Sequence, residues 1–385
     1  MSVWDDVVGQ PGATATLKQA AAPHGSLTHA WLITGPPGSG RSTAAIAFAA
    51  ALNCAHRSTD PSSPEPGCGQ CHACQTILAG THADVTRVRT DKLSISKDEV
   101  RSLVQVAQRS PSSGEFRVLI VEDADRMSAG TFNVLLKSIE EPPPKTIWIL
   151  CAPSPQDLAP TIRSRCRVVT LSLPSPHDVT ELLIRRDGID PELATVAARA
   201  AQGHIGLARR FAMHPDALAR RDAVVRIPWE LRGVGSAVLR AARLVEEATA
   251  EAKETSEHAA RIERERFLRS AGIEGSTVPP ALRSQLKQLE DDQKKRQTRL
   301  VRDVLDRTLL DLFSVYRDIL MIQLGSGSEL VNVALSDDIA RYAADTEARD
   351  TLAALDAITQ TRERITANVP PLLAAEALLA RLAAR

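Results

Sequence analysis

The chain has 385 residues, room for two or three domains. Lys plus Arg and Asp plus Glu number 47 each, so no whole-chain positive field exists to hold nucleic acid. Aromatic residues are only 3%, which counts against a base-stacking surface and makes the cores aliphatic. The first predicted strand is the apolar run Ala30–Thr34. It feeds Gly35-Pro36-Pro37-Gly38-Ser39-Gly40-Arg41-Ser42-Thr43, which opens an alanine-rich helix, Arg41–Leu52. Strand, glycine-rich loop and helix in that order form a triphosphate cradle. The glycines let backbone N–H groups close around phosphate, and the helix N-terminus adds partial positive charge. ATP or ADP with Mg2+ is therefore the candidate ligand of residues 35–43. A lysine normally stands where Arg41 does. A planar, forked guanidinium is not its equivalent.

Cys54, Cys68, Cys71 and Cys74 follow the helix, and the last three are spaced as overlapping Cys-x-x-Cys units. Four thiolates with no carboxylate and no open position suit a structural, tetrahedral Zn2+. The intervening stretch 55–67 is rich in Ser, Pro and Asp and needs such a clamp for order. His56 and His72 are nearby alternatives.

Further strands are expected at Val85–Val88, Arg117–Val121, Thr146–Cys151 and Arg167–Leu171, with helices at Ser96–Gln108 and Ser128–Ile139. The alternation predicts an α/β domain over residues 1–173, a parallel sheet covered on both faces, carrying the cysteine module at about 54–74. Glu122 and Asp123 end the third strand, where a P-loop protein that hydrolyses nucleotide keeps its magnesium-holding and water-polarising acids. The usual order is Asp then Glu. The reversal should harm hydrolysis more than binding, because hydrolysis needs finer positioning.

Pro174-Ser175-Pro176 breaks the alternation. Helices at Asp178–Arg186, Pro191–Gln202 and Gly206–Met213 make a small lid, residues 174–215. Residues 216–385 read as helical throughout. Within them Glu246–Arg269 and Ala281–Leu300 are densely charged around a turn-like break at 272–280, with Leu282, Leu286 and Leu289 at helical spacing. This predicts a solvated helical hairpin over 246–300, with a protein-docking arm as the sharper alternative. No repeat of fixed period is found. No apolar run approaches the roughly 20 residues of a membrane span, and the N-terminus has no basic, apolar signal pattern, so the expected location is cytoplasmic.

Together these motifs resemble the bacterial clamp-loader subunits of DNA polymerase III, which are AAA+ proteins. Trp4-Asp5-Asp6-Val7-Val8-Gly9-Gln10 is similar to the family's N-terminal box near the adenine. Asn133–Pro143 resembles its helix and turn after the acidic strand, and Arg163-Ser164-Arg165-Cys166 its Ser-Arg-Cys motif. The resemblance covers about residues 1–210. It implies an AAA+ domain, a lid and an oligomerising collar, in a hetero-pentameric ring with gamma/tau and delta subunits that loads the sliding clamp at primer–template DNA. It also implies that Arg165 is an arginine finger acting on a neighbouring subunit's nucleotide. The charged hairpin is not a general family feature. Four departures fit the family's stator type, delta-prime, better than its ATPase type. They are Arg41, the Glu122-Asp123 order, the sensor stretch Cys151-Ala152-Pro153-Ser154 without threonine, and Gly206 where a lid arginine would fall. No ATPase activity of its own is then expected. The alternative is an active, gamma/tau-like ATPase.

Overall fold

The computed structural model describes residues 2–57, 65–90, 94–270 and 279–384. The chain forms two compact units, Met1–Met213 and His214–Arg385. In the first, the elements are α1 (Pro11–Ala21), β1 (Ala30–Thr34), α2 (Arg41–Leu52), α3 (His72–Leu78), β2 (Val85–Val88), α4 (Lys97–Ala107), β3 (Arg117–Val121), α5 (Ala129–Glu140), β4 (Thr146–Ala152), α6 (Pro160–Arg163), β5 (Arg167–Thr170), α7 (Pro176–Asp187), α8 (Pro191–Ala200) and α9 (Ile205–Met213).

The five expected strands form one parallel sheet in the order β2-β3-β4-β1-β5. β1, β3 and β4 are buried along their whole length, as strands covered on both faces must be. Successive side chains serve opposite cores. Trp31, Ile33, Ile120 and Ile149 pack with α2; Leu32, Leu119, Val121 and Leu150 pack with α4 and α5. α2 buries Ala44, Ala45, Ala47, Ala49, Ala50 and Ala51, small side chains that let it lie close to the sheet, and its Phe48 meets Trp31 edge-on at 4.9 Å. The pairing aligns Thr34 with both Ala152 and Thr170. The loops leaving β1, β3 and β4 therefore gather at one sheet edge.

Helix boundaries follow their capping residues. Ser96 and Glu99 make a capping box at α4, and Ser175 and Asp178 another at α7, directly after the proline break. Three helices were not read from the sequence: α1, α3 and α6. None has a side-chain cap.

In the second unit lie α10 (Pro215–Val225), α11 (Ile227–Glu230), α12 (Val234–Ser270), α13 (Pro280–Gln323), α14 (Ser336–Asp345), α15 (Ala348–Thr366) and α16 (Pro371–Ala383). Its aliphatic core includes Leu244, Leu309, Leu312, Ile319, Ile358 and Leu378. Arg221 is buried there against Asp311 (3.1 Å) and Asn332 (2.7 Å). The unit's core ends at Ala252 on α12 and begins again at Val304 on α13. Between those points the two helices are joined by polar contacts, Arg264 to Glu290 at 2.8 Å and Gln293 to the Ala260 carbonyl at 3.2 Å. Of the three expected leucines, Leu286 is buried and Leu282 and Leu289 are half-buried. The expected break at 272–280 lies, up to residue 278, outside the described residues. No helix among the described residues is long and apolar enough to cross a membrane.

One buried carboxylate locks the edge of the sheet. Asp84 is fully buried before β2 and accepts the N–H groups of Ser112 (2.8 Å), Ser113 (2.7 Å) and Gly114 (2.8 Å), with Arg117 Nη2 at 2.8 Å. Burial pushes its pKa up, but the N–H donors outweigh burial and hold it well below the usual carboxylate range. A depressed folded pKa gives stability that is present above the unfolded value, about 4, and is lost as pH falls below it. Asp84→Asn should cost about 3–5 kcal/mol at pH 7, because it strands Arg117, and should narrow its gap from wild type in acid. Urea unfolding at pH 7 and below pH 4 checks both expectations.

Candidate nucleotide and metal sites

The loop after β1 keeps the shape of a phosphate cradle. Gly38 and Gly40 hold φ of 86° and 90°, the left-handed region that glycine favours. Gly35 N donates to the Pro153 carbonyl (3.1 Å), so the turn after β4 clamps the loop's start. The Ser39 hydroxyl is buried with no partner among the described residues. The lid segment lies directly on the loop. A Cβ added at Gly38 would come within 2.3 Å of His204 Cγ, and Ile205 N donates to the Gly38 carbonyl at 3.3 Å. Gly206, on the next residue, brings no side chain to this edge.

Arg41 turns back on the loop itself, its Nη1 donating to the Gly35 carbonyl at 2.7 Å. Glu122 is buried, and both its oxygens are engaged. Oε2 accepts the Ser42 hydroxyl at 2.8 Å; Oε1 takes Nε and Nη2 of Arg87 at 3.1 and 2.6 Å. Asp123 lies 3.7 Å from Arg126. Ser42 and the strand-end acid are the groups with which a P-loop holds magnesium. Here they bond to each other and to a guanidinium, and this set does not fit a divalent metal. Arg87 was not singled out from the sequence. Only the pairing of β2 beside β3 brings it to Glu122.

The four expected cysteines do converge. The sulfurs of Cys54, Cys68, Cys71 and Cys74 lie within 4.8 Å of one another. Cys54 follows α2, Cys71 is the N-cap of α3 and Cys74 sits in its first turn. The helix N-terminus thus faces the cluster with its partial positive charge, which favours thiolate. The Cys68 sulfur already accepts the N–H groups of Gln70 (3.4 Å) and Cys71 (3.3 Å). Cys71 is pushed up by burial, but N–H groups of Cys74 and Ala55 outweigh that and bring it down to about 7. This donor set fits a tetrahedral metal such as zinc. Trp4 belongs to the same neighbourhood, its indole donating to the Pro66 carbonyl at 2.9 Å, while Val3 N reaches Gly67 at 2.9 Å. The remaining thiols, Cys151 and Cys166, are each pushed up to about 12 by burial and behave as packing groups.

Arg165 stands exposed between α6 and β5. Its Nη1 donates to the Thr161 carbonyl (2.8 Å), and Nη2 lies 2.7 Å from Glu140 Oε1. Both partners of that pair are more than a third exposed, so the pair is worth about 1 kcal/mol or less and holds the arginine without locking it.

Comparison with known proteins bears on these sites. Residues 9–175 match the family described as DNA polymerase III, delta subunit. The tau subunit of DNA polymerase III from Bacillus subtilis is 38% identical over 164 residues, 43% of this chain and 28% of that protein. The delta-prime subunit from the same organism is 32% identical over 45% of this chain and 50% of its own length. The delta-prime subunit of Pseudomonas aeruginosa is 36% identical over 41% of this chain and 47% of its own. Residues 9–175 are thus similar to subunits of DNA polymerase III, tau and delta-prime among them. The matched stretch spans half or less of each of these relatives. It includes the phosphate loop, the cysteine module, the acidic strand end and Arg165, all within residues 9–175.

Within residues 9–175 the fold brings all four cysteines together. Cys71→Ser should leave the purified chain with well under half its metal by elemental analysis. It should also lower the melting temperature of the first unit, since metal binding is coupled to folding. Full metal content in that variant would exclude a four-cysteine site.

Proposed function

We propose that the chain is a delta-prime-type stator of the DNA polymerase III clamp loader. It would assemble with gamma/tau and delta subunits in a pentameric ring that places the sliding clamp on primer–template DNA. Its cysteine cluster would hold a structural Zn2+. One contrast carries the reading. The groups of its own nucleotide edge are bonded to one another, Arg41 to Gly35 and Glu122 to Ser42 and Arg87, while Arg165 stands at the surface on a weak pair. A site wired this way suits binding or architecture better than turnover, and an exposed, permanently charged fork suits phosphate contact across a subunit boundary.

In this role Arg165 would stabilise charge on the γ-phosphate bound to a neighbouring subunit. Arg165→Ala in a loader reconstituted with gamma/tau and delta should slow ATP hydrolysis at the site it serves by at least about tenfold, with the ring still assembled on gel filtration. Glu140→Gln, which removes only the weak pair, should stay within about threefold of wild type. An unchanged rate in Arg165→Ala would sink the finger assignment.

A second reading, an active gamma/tau-like ATPase, is favoured by the tau relative at 38% identity. It requires Arg41 to leave the Gly35 carbonyl and do the lysine's work, and Arg87 to leave Glu122 before a metal can enter.

A further inference from the structure

We propose that Arg87 is a built-in cation that takes the divalent metal's place at this phosphate loop, so that a nucleoside di- or triphosphate bound there is held without magnesium. This rests on reading residues 35–43 as a nucleotide site and is independent of the role of Arg165.

Arg87 lies near the end of edge strand β2, where the register sets it beside Ile120, two residues before Glu122. Both Nε and Nη2 close on one oxygen of Glu122, and Ser42 takes the other. The Glu122 side chain is 8% exposed, and both its oxygens are hydrogen-bonded. Magnesium needs near-octahedral oxygen at about 2.1 Å and gives up its water reluctantly. To bind here it would have to part Ser42 from Glu122 and come to rest beside a guanidinium that cannot be deprotonated. The repulsion between that ion and Arg87 would act in a partly buried site, where screening is weak.

The same charge is well placed for phosphate. Arg87 is one-third exposed, so it is not sealed from a ligand. Ser42, bonded to Glu122, directly follows Arg41 in the loop, and Asp123 directly follows Glu122, so these groups share one end of the sheet with Arg87. Glu122 is paired with Arg87 and Asp123 with Arg126, while Arg41 rests on the Gly35 carbonyl. A polyphosphate entering the loop would meet donors already in position, where a standard P-loop offers a lysine and a metal.

The full-length protein is titrated with a fluorescent ADP analogue, in excess magnesium and in EDTA. Wild type should bind equally in both buffers, within about twofold. Arg87→Gln should weaken binding in EDTA by about tenfold, the loss of one charge at a few ångströms, and magnesium should restore part of it. Because Arg87→Gln alone strands a buried carboxylate, R87Q/E122Q is measured beside it and should bind weakly in both buffers. Arg87→Lys should stay metal-independent. Wild-type binding that is tenfold or more tighter with magnesium would overturn the role of Arg87 and leave the nucleotide site standing. So would binding in EDTA that Arg87→Gln does not change. No binding by wild type in either buffer would overturn this proposal and the nucleotide-site reading together.

Discussion

Glu122 is a buried carboxylate, and a buried charge must be paired and hydrogen-bonded or it will not stay charged. Its pairing ties three elements at one edge of the sheet: Ser42 opens α2, Glu122 ends β3, and Arg87 comes from β2. The parallel register brings those three ends level, so the arrangement follows from the strand order. Once Glu122 is satisfied from both sides, neither of its own oxygens is left unbonded for a metal. Arg41, in turn, is satisfied by the carbonyl of Gly35. The phosphate loop keeps its glycine geometry while its charges are spoken for from within the domain.

That constraint separates two arginines of equal formal charge. Arg41 is held by a backbone acceptor that belongs to the loop it would serve. Arg165 is exposed, with Nη1 on the Thr161 carbonyl and Nη2 in a solvent-screened pair with Glu140 that is cheap to break. In the proposed role Arg165, rather than Arg41, would be the charge that meets a γ-phosphate. The cysteine cluster supports the same domain from another side. It brings Cys54, just after α2, to the start of α3, and Trp4 and Val3 are bonded to Pro66 and Gly67 beside it.

The sheet was legible because each strand is a short, apolar, β-branched run bounded by turn residues. The capped helices were legible because Ser96, Ser128 and Ser175 announce their N-termini. α1, α3 and α6 lack that signal and were not read, whereas α2 lacks it too and was read from the phosphate loop before it. α1 starts at Pro11 behind Gln10, which makes no side-chain cap, and α3 hides inside the cysteine spacing. The cysteine cluster was fully legible, since four thiols at that spacing have few other uses. Arg87 was not. In sequence it is one polar residue in Val85-Thr86-Arg87-Val88, and nothing local links it to an acid 35 residues later. The seat of His204 on Gly38 was equally invisible, because it joins a loop to a lid across more than 160 positions. Contacts of that kind depend on strand order and on packing, which local pattern does not encode.

The most direct measurement is ATP turnover by the purified, full-length chain alone in magnesium, with Arg41→Lys and Arg41→Ala beside it. A site whose charges are internally paired should give no hydrolysis above background in wild type or Arg41→Ala. Steady, magnesium-dependent turnover in wild type that disappears in Arg41→Ala would contradict it, and would make this chain a working ATPase.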